Sequence, residues 1–357
     1  MRATIFRQHG GPEVLEYTDV PDPSIRANEV LVEVKACALN HLDIFVRNGM
    51  PNIEIPLPHI LGSDIAGVVR EVGDLVTWVK AGDEVMVQPG VSCGHCAACL
   101  SGQDNLCREY DMLGYRRNGG YAELVAVPGA NLIAKPAELS WAEAAALPLV
   151  TVTAWHMLVT RAVVQPGEDV LVHAAGSGVG SIAIQIAKLR GARVITTAST
   201  DDKLAKAREL GADETINYSR DDWPKEVKRL TERRGVDVVV EHTGAATWPG
   251  SIASLKNNGR LVTCGATSGF DARMDLRQVF YRHLTLLGSF MGSKAELLEA
   301  MKFVVQGKIR AVVDRVLPLS EARQAHELME NRGQFGKIVL EPTARTSQEE
   351  GLAPAVR

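Results

Sequence analysis

The feature that most constrains the fold is the stretch of residues 169–188, DVLVHAAGSGVGSIAIQIAK. Val170, Leu171 and Val172 form a short apolar run typical of a strand covered on both faces, and apolar residues recur at helical spacing from Ile182 onward. A glycine-rich turn separates the two segments. The pattern therefore predicts a strand, a tight turn and a helix, the unit from which doubly wound α/β domains are built.

The turn itself predicts a phosphate-binding site. Ala175, Ser177 and Gly180 stand where the dinucleotide fingerprint GxGxxG has its three glycines. Small residues allow a sharp turn and a close approach of the backbone to a pyrophosphate, whose charge is held by N–H groups at the helix N-terminus. The residues predicted to contact the cofactor here are Ala175, Gly176, Ser177, Gly178, Val179 and Gly180. A tight turn without a ligand is the alternative interpretation.

The residues after the next predicted strand, 193–197, determine which cofactor fits. An NAD site would place an acidic residue there to hold the ribose 2′-hydroxyl, whereas this chain has Ala198. Ser199 and Thr200 can donate hydrogen bonds to a 2′-phosphate, and Lys203 can supply positive charge. The pattern favours NADP(H) over NAD(H). Thr200 can equally cap a following helix while Lys203 is a solvated charge, and both interpretations can hold together.

Composition excludes several classes of partner. With 357 residues, the chain is long enough for two domains with separate cores. A net charge of -4 and a pI near 6.2 provide no electrostatic footprint for nucleic acid or an anionic membrane. The N-terminus lacks the apolar core of a signal peptide, and the most apolar later stretch is interrupted by Glu143 and Pro148. We therefore expect a cytoplasmic protein that binds neither nucleic acid nor membrane.

Two periodicities divide the chain. Up to residue 147, short β-branched runs alternate with turns, which predicts an all-β or barrel-like domain with strands at residues 3–6, 30–36, 66–72, 85–88 and 122–127. From residue 149, strands alternate with helices, which predicts a parallel sheet with strands at residues 169–173, 193–197, 236–241, 260–264 and 284–287. In the loops that follow the later strands, Thr243, Gly265, Ala266 and Thr267 are predicted to contact the cofactor.

The predicted domains follow from these periods. A β-rich domain covers residues 1–148, with a cysteine lobe at 91–109, and a nucleotide-binding domain covers 149–291. Residues 292–341 are expected to return to the first domain. Residues 342–357 have little to bury and are predicted to form a flexible tail.

Four cysteines in one polar loop predict a metal site. Cys93, Cys96, Cys99 and Cys107 form CxxCxxCx7C, and four thiolates in tetrahedral array suit one structural Zn²⁺ per chain. The spacing of the fourth cysteine fits an iron–sulfur cluster less well, although such a cluster and free thiols are the alternatives. His95 is interpreted as a loop residue. With every coordination position filled by cysteine, this ion would support structure and no chemistry.

The motifs together resemble the medium-chain dehydrogenase/reductase superfamily. They are GSDIAGVVREVG (62–73), AGDEV (81–85), the cysteine loop, GGYAE (119–123), HAAGSGVG (173–180) and FGKIVL (335–340). The resemblance implies an α/β protein with a GroES-like β-rich catalytic domain and a Rossmann domain containing a doubly wound parallel sheet. It also implies pairing of sheet edges through strand 284–287, and hence a homodimer or homotetramer.

The chain departs from the zinc alcohol dehydrogenases of this superfamily. Those enzymes bind a second, catalytic zinc through a cysteine, a histidine and a further cysteine or acid, and at the matching positions this chain has Asn40, Ser63 and Leu149. Amide, hydroxyl and alkyl groups cannot together replace thiolate and imidazole. Leu42 also replaces the relay hydroxyl. The resemblance thus implies that the structural zinc is kept and the catalytic zinc is lost. Asp43 and Asp64 match residues that support the lost metal ligands, and we expect them instead to cap or pair within the first domain.

ALNHLD (38–43), TAST (197–200) and CGATSG (264–269) resemble the quinone oxidoreductase and enoyl reductase branch. This implies NADPH-dependent reduction of an activated double bond or quinone, with small-molecule carbonyl, enone or quinone substrates. Asn40 can donate its amide N–H to an enolate oxygen, and His41 matches a position that contacts the pyrophosphate in relatives. Pro51 stands where relatives often have a tyrosine, so no general acid is identified.

Two alternatives stay open. One is a zinc-dependent alcohol or aldehyde dehydrogenase that recruits metal through an unusual set such as Asp64, His59 or His41. The other is a non-catalytic NADPH-binding protein, because a fold does not determine a function. The loops predicted to line the substrate pocket indicate an apolar site and no particular molecule; they contain Met50, Ile53, Tyr115 and Met291.

Overall fold

The computed structural model describes residues 1–342 and separates into two compact units. The first contains Met1–Leu149 and the chain from Ala311 onward, and the second is Val150–Arg310. The helix Lys294–Val305 belongs to the second unit, so the return to the first begins at Ala311 and not at residue 292 as expected. Except for Pro342, the predicted tail of residues 342–357 lies outside the described residues.

The first unit is rich in short strands. They are β1 (Arg2–Phe6), β2 (Glu16–Asp19), β3 (Glu29–Ala38), β4 (His59–Ile60), β5 (Asp64–Val72), β6 (Glu84–Val87), β7 (Gly90–Val91), β8 (Asp111–Met112), β9 (Leu124–Pro128), β10 (Leu132–Ala134), β17 (Val313–Pro318) and β18 (Lys337–Glu341). Its helices are α1 (His41–Asn48), α2 (Ala97–Leu100), α3 (Trp141–Ala146) and α11 (Ala322–Glu330), and α4 (Pro148–Trp155) crosses the boundary between units.

A curled sheet in the order β10-β6-β5-β3-β18-β17 forms the centre of the first unit, with β9 also paired to β3. In β3, Val30, Val32 and Val34 are almost completely buried, as expected for alternating residues on the core face of a strand. The antiparallel register of β18 on β3 pairs Val339 with Ala38, so a strand from the end of the chain lies beside the segment that leads into α1.

The second unit alternates strands and helices. Its elements are β11 (Asp169–Val172), α5 (Gly178–Leu189), β12 (Arg193–Ala198), α6 (Asp201–Glu209), β13 (Glu214–Asn217), α7 (Trp223–Leu230), β14 (Val236–Glu241), α8 (Trp248–Ser254), β15 (Leu255–Thr263), α9 (Leu276–Tyr281), β16 (Thr285–Gly288) and α10 (Lys294–Val305). The strands form one parallel sheet in the order β13-β12-β11-β14-β15-β16. This is the doubly wound order, in which ligands bind beyond the carboxyl ends of the strands where the direction of winding reverses, here between β11 and β14.

The fold class agrees with the expectation, although the sequence pattern missed two elements that matter for the site. β13 was not predicted, and neither was α1, which follows directly on β3. One helical run, Trp141–Arg161, is long and apolar enough to cross a membrane by length and composition, but 78% of its apolar window is buried within the protein. Its apolar character is accounted for by burial in the core.

Candidate functional site

The glycine turn of the second unit packs its backbone closely at the start of α5. Ser177 caps α5 by accepting the backbone N–H of Gly180 at 2.8 Å. A Cβ atom on Gly180 would lie 2.3 Å from the carbonyl oxygen of Ala174, so only glycine fits there. Because the first N–H groups of a helix have no intrahelical partner, this turn can hold the charge of a pyrophosphate.

The other predicted cofactor residues of this unit lie at the same edge of the sheet. Thr243 follows β14, and its carbonyl oxygen accepts both the backbone N–H and the hydroxyl of Ser268 at 2.7 Å. These bonds join the loop after β14 to the loop after β15. The edge therefore carries the turn residues Ala175, Gly176, Ser177, Gly178, Val179 and Gly180, the loop residues Thr243, Gly265, Ala266 and Thr267, and, after β12, Ser199, Thr200 and Lys203.

A buried acid holds the loop after β14 in place. Glu241 accepts hydrogen bonds from the backbone N–H of Thr243 (2.7 Å) and from the hydroxyl of Ser251 (2.6 Å). The Ser251 oxygen also lies 2.9 Å from Nε2 of His173, and burial lowers the pKa of that imidazole to about 4, so it is neutral at pH 7. All three side chains are at most 2% exposed, so the network positions the loop and cannot meet a substrate.

The structure brings one cation and one aromatic residue near the end of β12 that the sequence analysis did not identify. Thr200 caps α6 by accepting the N–H of Lys203 at 3.3 Å, as its alternative interpretation predicted. Tyr218 donates its backbone N–H to Ala198 at 3.1 Å, and Arg220 forms an exposed ion pair with Asp201 at 2.8 Å. Sequence reasoning missed Tyr218 and Arg220 because they follow β13, the strand that the pattern did not reveal.

The four cysteines converge as predicted. The sulfur atoms of Cys93, Cys96, Cys99 and Cys107 all lie within 4.8 Å of one another, with Cys96 and Cys99 3.6 Å apart. Zinc–sulfur bonds of about 2.3 Å in a tetrahedron place sulfurs about 3.8 Å apart, so the set fits zinc. Backbone N–H groups of Cys93 and Glu109 point at the Cys107 sulfur from 3.5 and 3.4 Å, which stabilises a thiolate.

The first unit holds a closed polar cluster around Asn40. The ammonium of Lys337 lies 2.6 Å from Oδ1 of Asn40 and 2.9 Å from Oδ2 of Asp64. The amide Nδ2 of Asn40 donates to the same Asp64 oxygen at 2.9 Å, and the backbone N–H of Leu149 donates to the other carboxylate oxygen at 2.8 Å. Asn40 is 7% exposed, Lys337 4% and Asp64 0%. The sequence predicted Asn40 as a donor to a substrate oxygen, and in the structure its amide oxygen and one amide hydrogen already have partners within the protein.

Directly beside this cluster, a second buried chain of hydrogen bonds ends on Asp43. Arg47 donates to Nδ1 of His326 at 2.9 Å, which leaves the proton on Nε2, 3.3 Å from the Tyr121 oxygen. Tyr121 in turn donates to Asp43 at 3.1 Å. The carboxylate also accepts the N–H of Asn40 at 2.8 Å, so this chain fixes the start of α1, where His41 is the first helical residue.

A pH dependence of stability follows from Asp43. Burial raises its pKa to about 6 and outweighs the donors that favour the carboxylate. Since the folded form then holds the proton more tightly than the unfolded chain, this contribution to stability is complete below pH 4 and lost as the pH rises through about 6. Relative to Asp43→Asn, the wild type should lose about 2 kcal/mol between pH 4 and pH 7. Urea unfolding of both proteins across this pH range measures the difference between their free energies of unfolding. A difference that does not change with pH would contradict the prediction.

The residues present do not fit a catalytic zinc. Ser63 is buried and donates its hydroxyl to the carbonyl of Leu113 at 2.7 Å, and Leu149 has no ligating atom in its side chain. His59 contacts the Gly114 carbonyl through Nε2 at 3.3 Å, and burial lowers its pKa. Within residues 1–342, ligand atoms of three or more His, Cys, Asp or Glu side chains converge only in the cysteine lobe.

Comparisons with known proteins identify the family and agree with the two folds of the chain. Residues 26–137 match the family model described as the alcohol dehydrogenase GroES-like domain, and residues 178–306 match the zinc-binding dehydrogenase model. An NAD-dependent alcohol dehydrogenase of Sulfurisphaera tokodaii is 33% identical over 351 residues, which cover 96% of this chain and all of that protein. Quinone oxidoreductase 1 of Escherichia coli is 31% identical, with 94% and 98% covered. A crystal structure of an NAD-dependent alcohol dehydrogenase superposes with a TM-score of 0.92 at 54% identity, covering 96% and 99%.

Proposed function

Because this chain belongs to the medium-chain dehydrogenase/reductase superfamily of NAD(P)-dependent oxidoreductases, we propose that it reduces an activated double bond or a quinone with NADPH and without a catalytic metal. The observation that carries the proposal is the Asn40 cluster. Where zinc-dependent relatives would present a cysteine, this chain presents an amide that is tied to an ammonium and a carboxylate. The amide N–H of Asn40 can stabilise a developing oxyanion by hydrogen bonding alone.

The chemistry divides between the cofactor and the chain. NADPH supplies the hydride, and the turn at Gly180 and the loops at Thr243 and Gly265 would hold it at the sheet edge. Asn40 would donate to the substrate oxygen. In an enone or quinone the negative charge spreads over a conjugated system, so a hydrogen bond at the oxygen suffices. An unactivated aldehyde or alcohol normally requires a Lewis acid or a proton relay.

NADPH is favoured over NADH by the residues around Ala198. That position lacks the carboxylate that would hold a 2′-hydroxyl and repel a phosphate. Lys203 and Arg220 are the nearby cations, although Arg220 is already paired with Asp201. Some relatives are named NAD-dependent alcohol dehydrogenases. NADH is therefore the alternative cofactor, and alcohol oxidation is the alternative reaction.

One experiment separates these possibilities. Purified, chelator-washed protein is assayed for zinc and for oxidation of NADPH and NADH with cyclohexenone and 1,4-naphthoquinone, and for reduction of NADP⁺ and NAD⁺ with 1-butanol. We expect about one zinc per chain and chelator-resistant reduction of the enone or quinone. About two zincs with alcohol oxidation would make it a zinc dehydrogenase. Tight NADPH binding without hydride transfer to any acceptor would instead favour the non-catalytic alternative.

Assembly through β16 is part of the proposal. This strand is at the end of its sheet order, and the neighbouring α9 exposes Leu276, Phe280 and Tyr281 by 58–74%. Among the described residues β16 is the terminal strand of its sheet, and such an edge beside exposed apolar side chains is a surface that a second copy can cover. We expect a homodimer or homotetramer in light scattering, and a monomer at micromolar concentration would contradict it. A cytoplasmic location stays a prediction.

A further inference from the structure

The Asn40 amide has only one possible orientation. Lysine has donors and no acceptor, so Lys337 can face only the oxygen of Asn40, at 2.6 Å. A carboxylate has acceptors only, so Asp64 can face only the nitrogen, at 2.9 Å. A flip of the amide would set donor against donor and acceptor against acceptor in a buried place. The two charges therefore fix the amide more firmly than a neutral neighbour could.

One of the two N–H hydrogens on Nδ2 of Asn40 makes only a long contact within the protein. Besides the bond to Asp64, Nδ2 has a contact of 3.5 Å to the carbonyl of Ala38, which is at the limit for a hydrogen bond. Asn40 is also the most exposed of the three cluster residues. In the proposed reaction, a short hydrogen bond to a substrate oxygen would replace this long contact, while the amide keeps its bonds to Lys337 and Asp64.

The fold explains why this ammonium lies here. β18 pairs with β3 so that the N–H of Leu39 donates to the carbonyl of Ile338 at 2.9 Å, which places Lys337 beside the end of β3. The Lys337 backbone N–H is held by Val312 at 2.8 Å. Of the two neighbours of the ammonium, Asp64 is the first residue of β5 and Asn40 lies between β3 and α1. The position of the ammonium therefore depends on the register of the sheet.

We propose that Lys337 is a positioning residue that orients and polarises the Asn40 amide, so that Lys337, Asp64 and Asn40 together form the metal-free oxyanion site. This rests on the proposed reduction of enones or quinones. Lys337 takes no part in the hydride transfer and does not touch the substrate. It donates a hydrogen bond to the amide oxygen of Asn40, and this polarisation makes the amide N–H a stronger donor to the oxyanion.

The test uses the zinc-loaded enzyme and variants that preserve charge balance. Lys337→Met alone leaves Asp64 buried without a counter-charge, so the main variant is Lys337→Met with Asp64→Asn. Asn40→Ala removes the donor itself. The matched control is Lys135→Met, because Lys135 is also a buried ammonium of the first unit, paired with Glu84 at 3.0 Å and 5% exposed. Lys337→Arg keeps the positive charge.

We expect kcat for the enone or quinone to fall about 30-fold in the double variant and about 100-fold in Asn40→Ala. KM and the affinity for NADPH should change little. The variant that combines all three substitutions should be no slower than Asn40→Ala alone, because Lys337 acts through that amide. Lys337→Arg should recover most of the rate. Independent, additive losses, or a double variant as fast as the wild type, would overturn the inference.

A second readout does not depend on turnover. The NADP⁺ complex is titrated with 4-nitrophenol, whose phenolate mimics the oxyanion and absorbs visibly. Phenolate affinity should fall about tenfold in the double variant and stay unchanged in Lys135→Met. Equal affinity in the wild type and Asn40→Ala would overturn the inference. If the wild type binds phenolate more tightly than the double variant and Asn40→Ala yet reduces no enone or quinone, the proposed function fails and the oxyanion site stands.

Discussion

Replacing Ala198 by aspartate is expected to reverse the cofactor preference. The new carboxylate would stand at the end of β12, where it can accept hydrogen bonds from ribose hydroxyls and would repel a 2′-phosphate. We expect kcat/KM with NADPH to fall about 100-fold and kcat/KM with NADH to rise about tenfold. The combined change in preference is about 1000-fold, or about 4 kcal/mol. Initial rates with both cofactors at several concentrations measure it.

Ala198→Asn is the matched control for this prediction. It adds nearly the same volume at the 2% exposed position without the charge, so any effect of crowding is common to both variants. We expect Ala198→Asn to weaken the use of both cofactors similarly. A wild type that already prefers NADH, or an aspartate variant that behaves like the asparagine variant, would show that Ala198 does not select the cofactor.

The second large effect is expected from Cys107→Ser. Cys107 is 6% exposed and receives two backbone N–H groups, so it is the most enclosed of the four thiols. Structural zinc sites in small domains contribute apparent binding free energies of about 10–16 kcal/mol, and loss of one thiolate removes much of this. We expect the zinc content to fall well below one per chain and amide exchange across residues 91–109 to accelerate about 100-fold.

Cys37→Ala is the control, because Cys37 is a buried cysteine of the same unit outside the lobe. It should keep its zinc and normal exchange in residues 91–109. NADPH affinity should be retained in both variants, since the glycine turn belongs to the second unit. Full zinc in Cys107→Ser, or iron in place of zinc in the wild type, would refute the assignment of a tetrathiolate zinc site.

Features set by short segments of chain were predictable. The glycine turn, the cap formed by Thr200 and the cysteine cluster each depend on residues within about fifteen positions, so spacing alone brings their atoms together. The alternation of strands and helices likewise predicted the parallel sheet. The missing ligands for a catalytic zinc could be named from motifs, because each stands at a fixed place in its own segment.

The tertiary structure decided which side chains from distant segments come into contact. Lys337 and Tyr121 both lay inside motifs noted in the sequence, FGKIVL and GGYAE, yet nothing in those motifs shows that one reaches Asn40 and the other Asp43. Asn40 and Lys337 are 297 positions apart, and their contact depends on the register of β18 against β3. The sequence by itself thus determined the fold class, the glycine turn and the cluster of four cysteines. Only the packing of distant strands decided which charges surround Asn40, because a buried ion pair depends on three-dimensional distance and not on spacing along the chain.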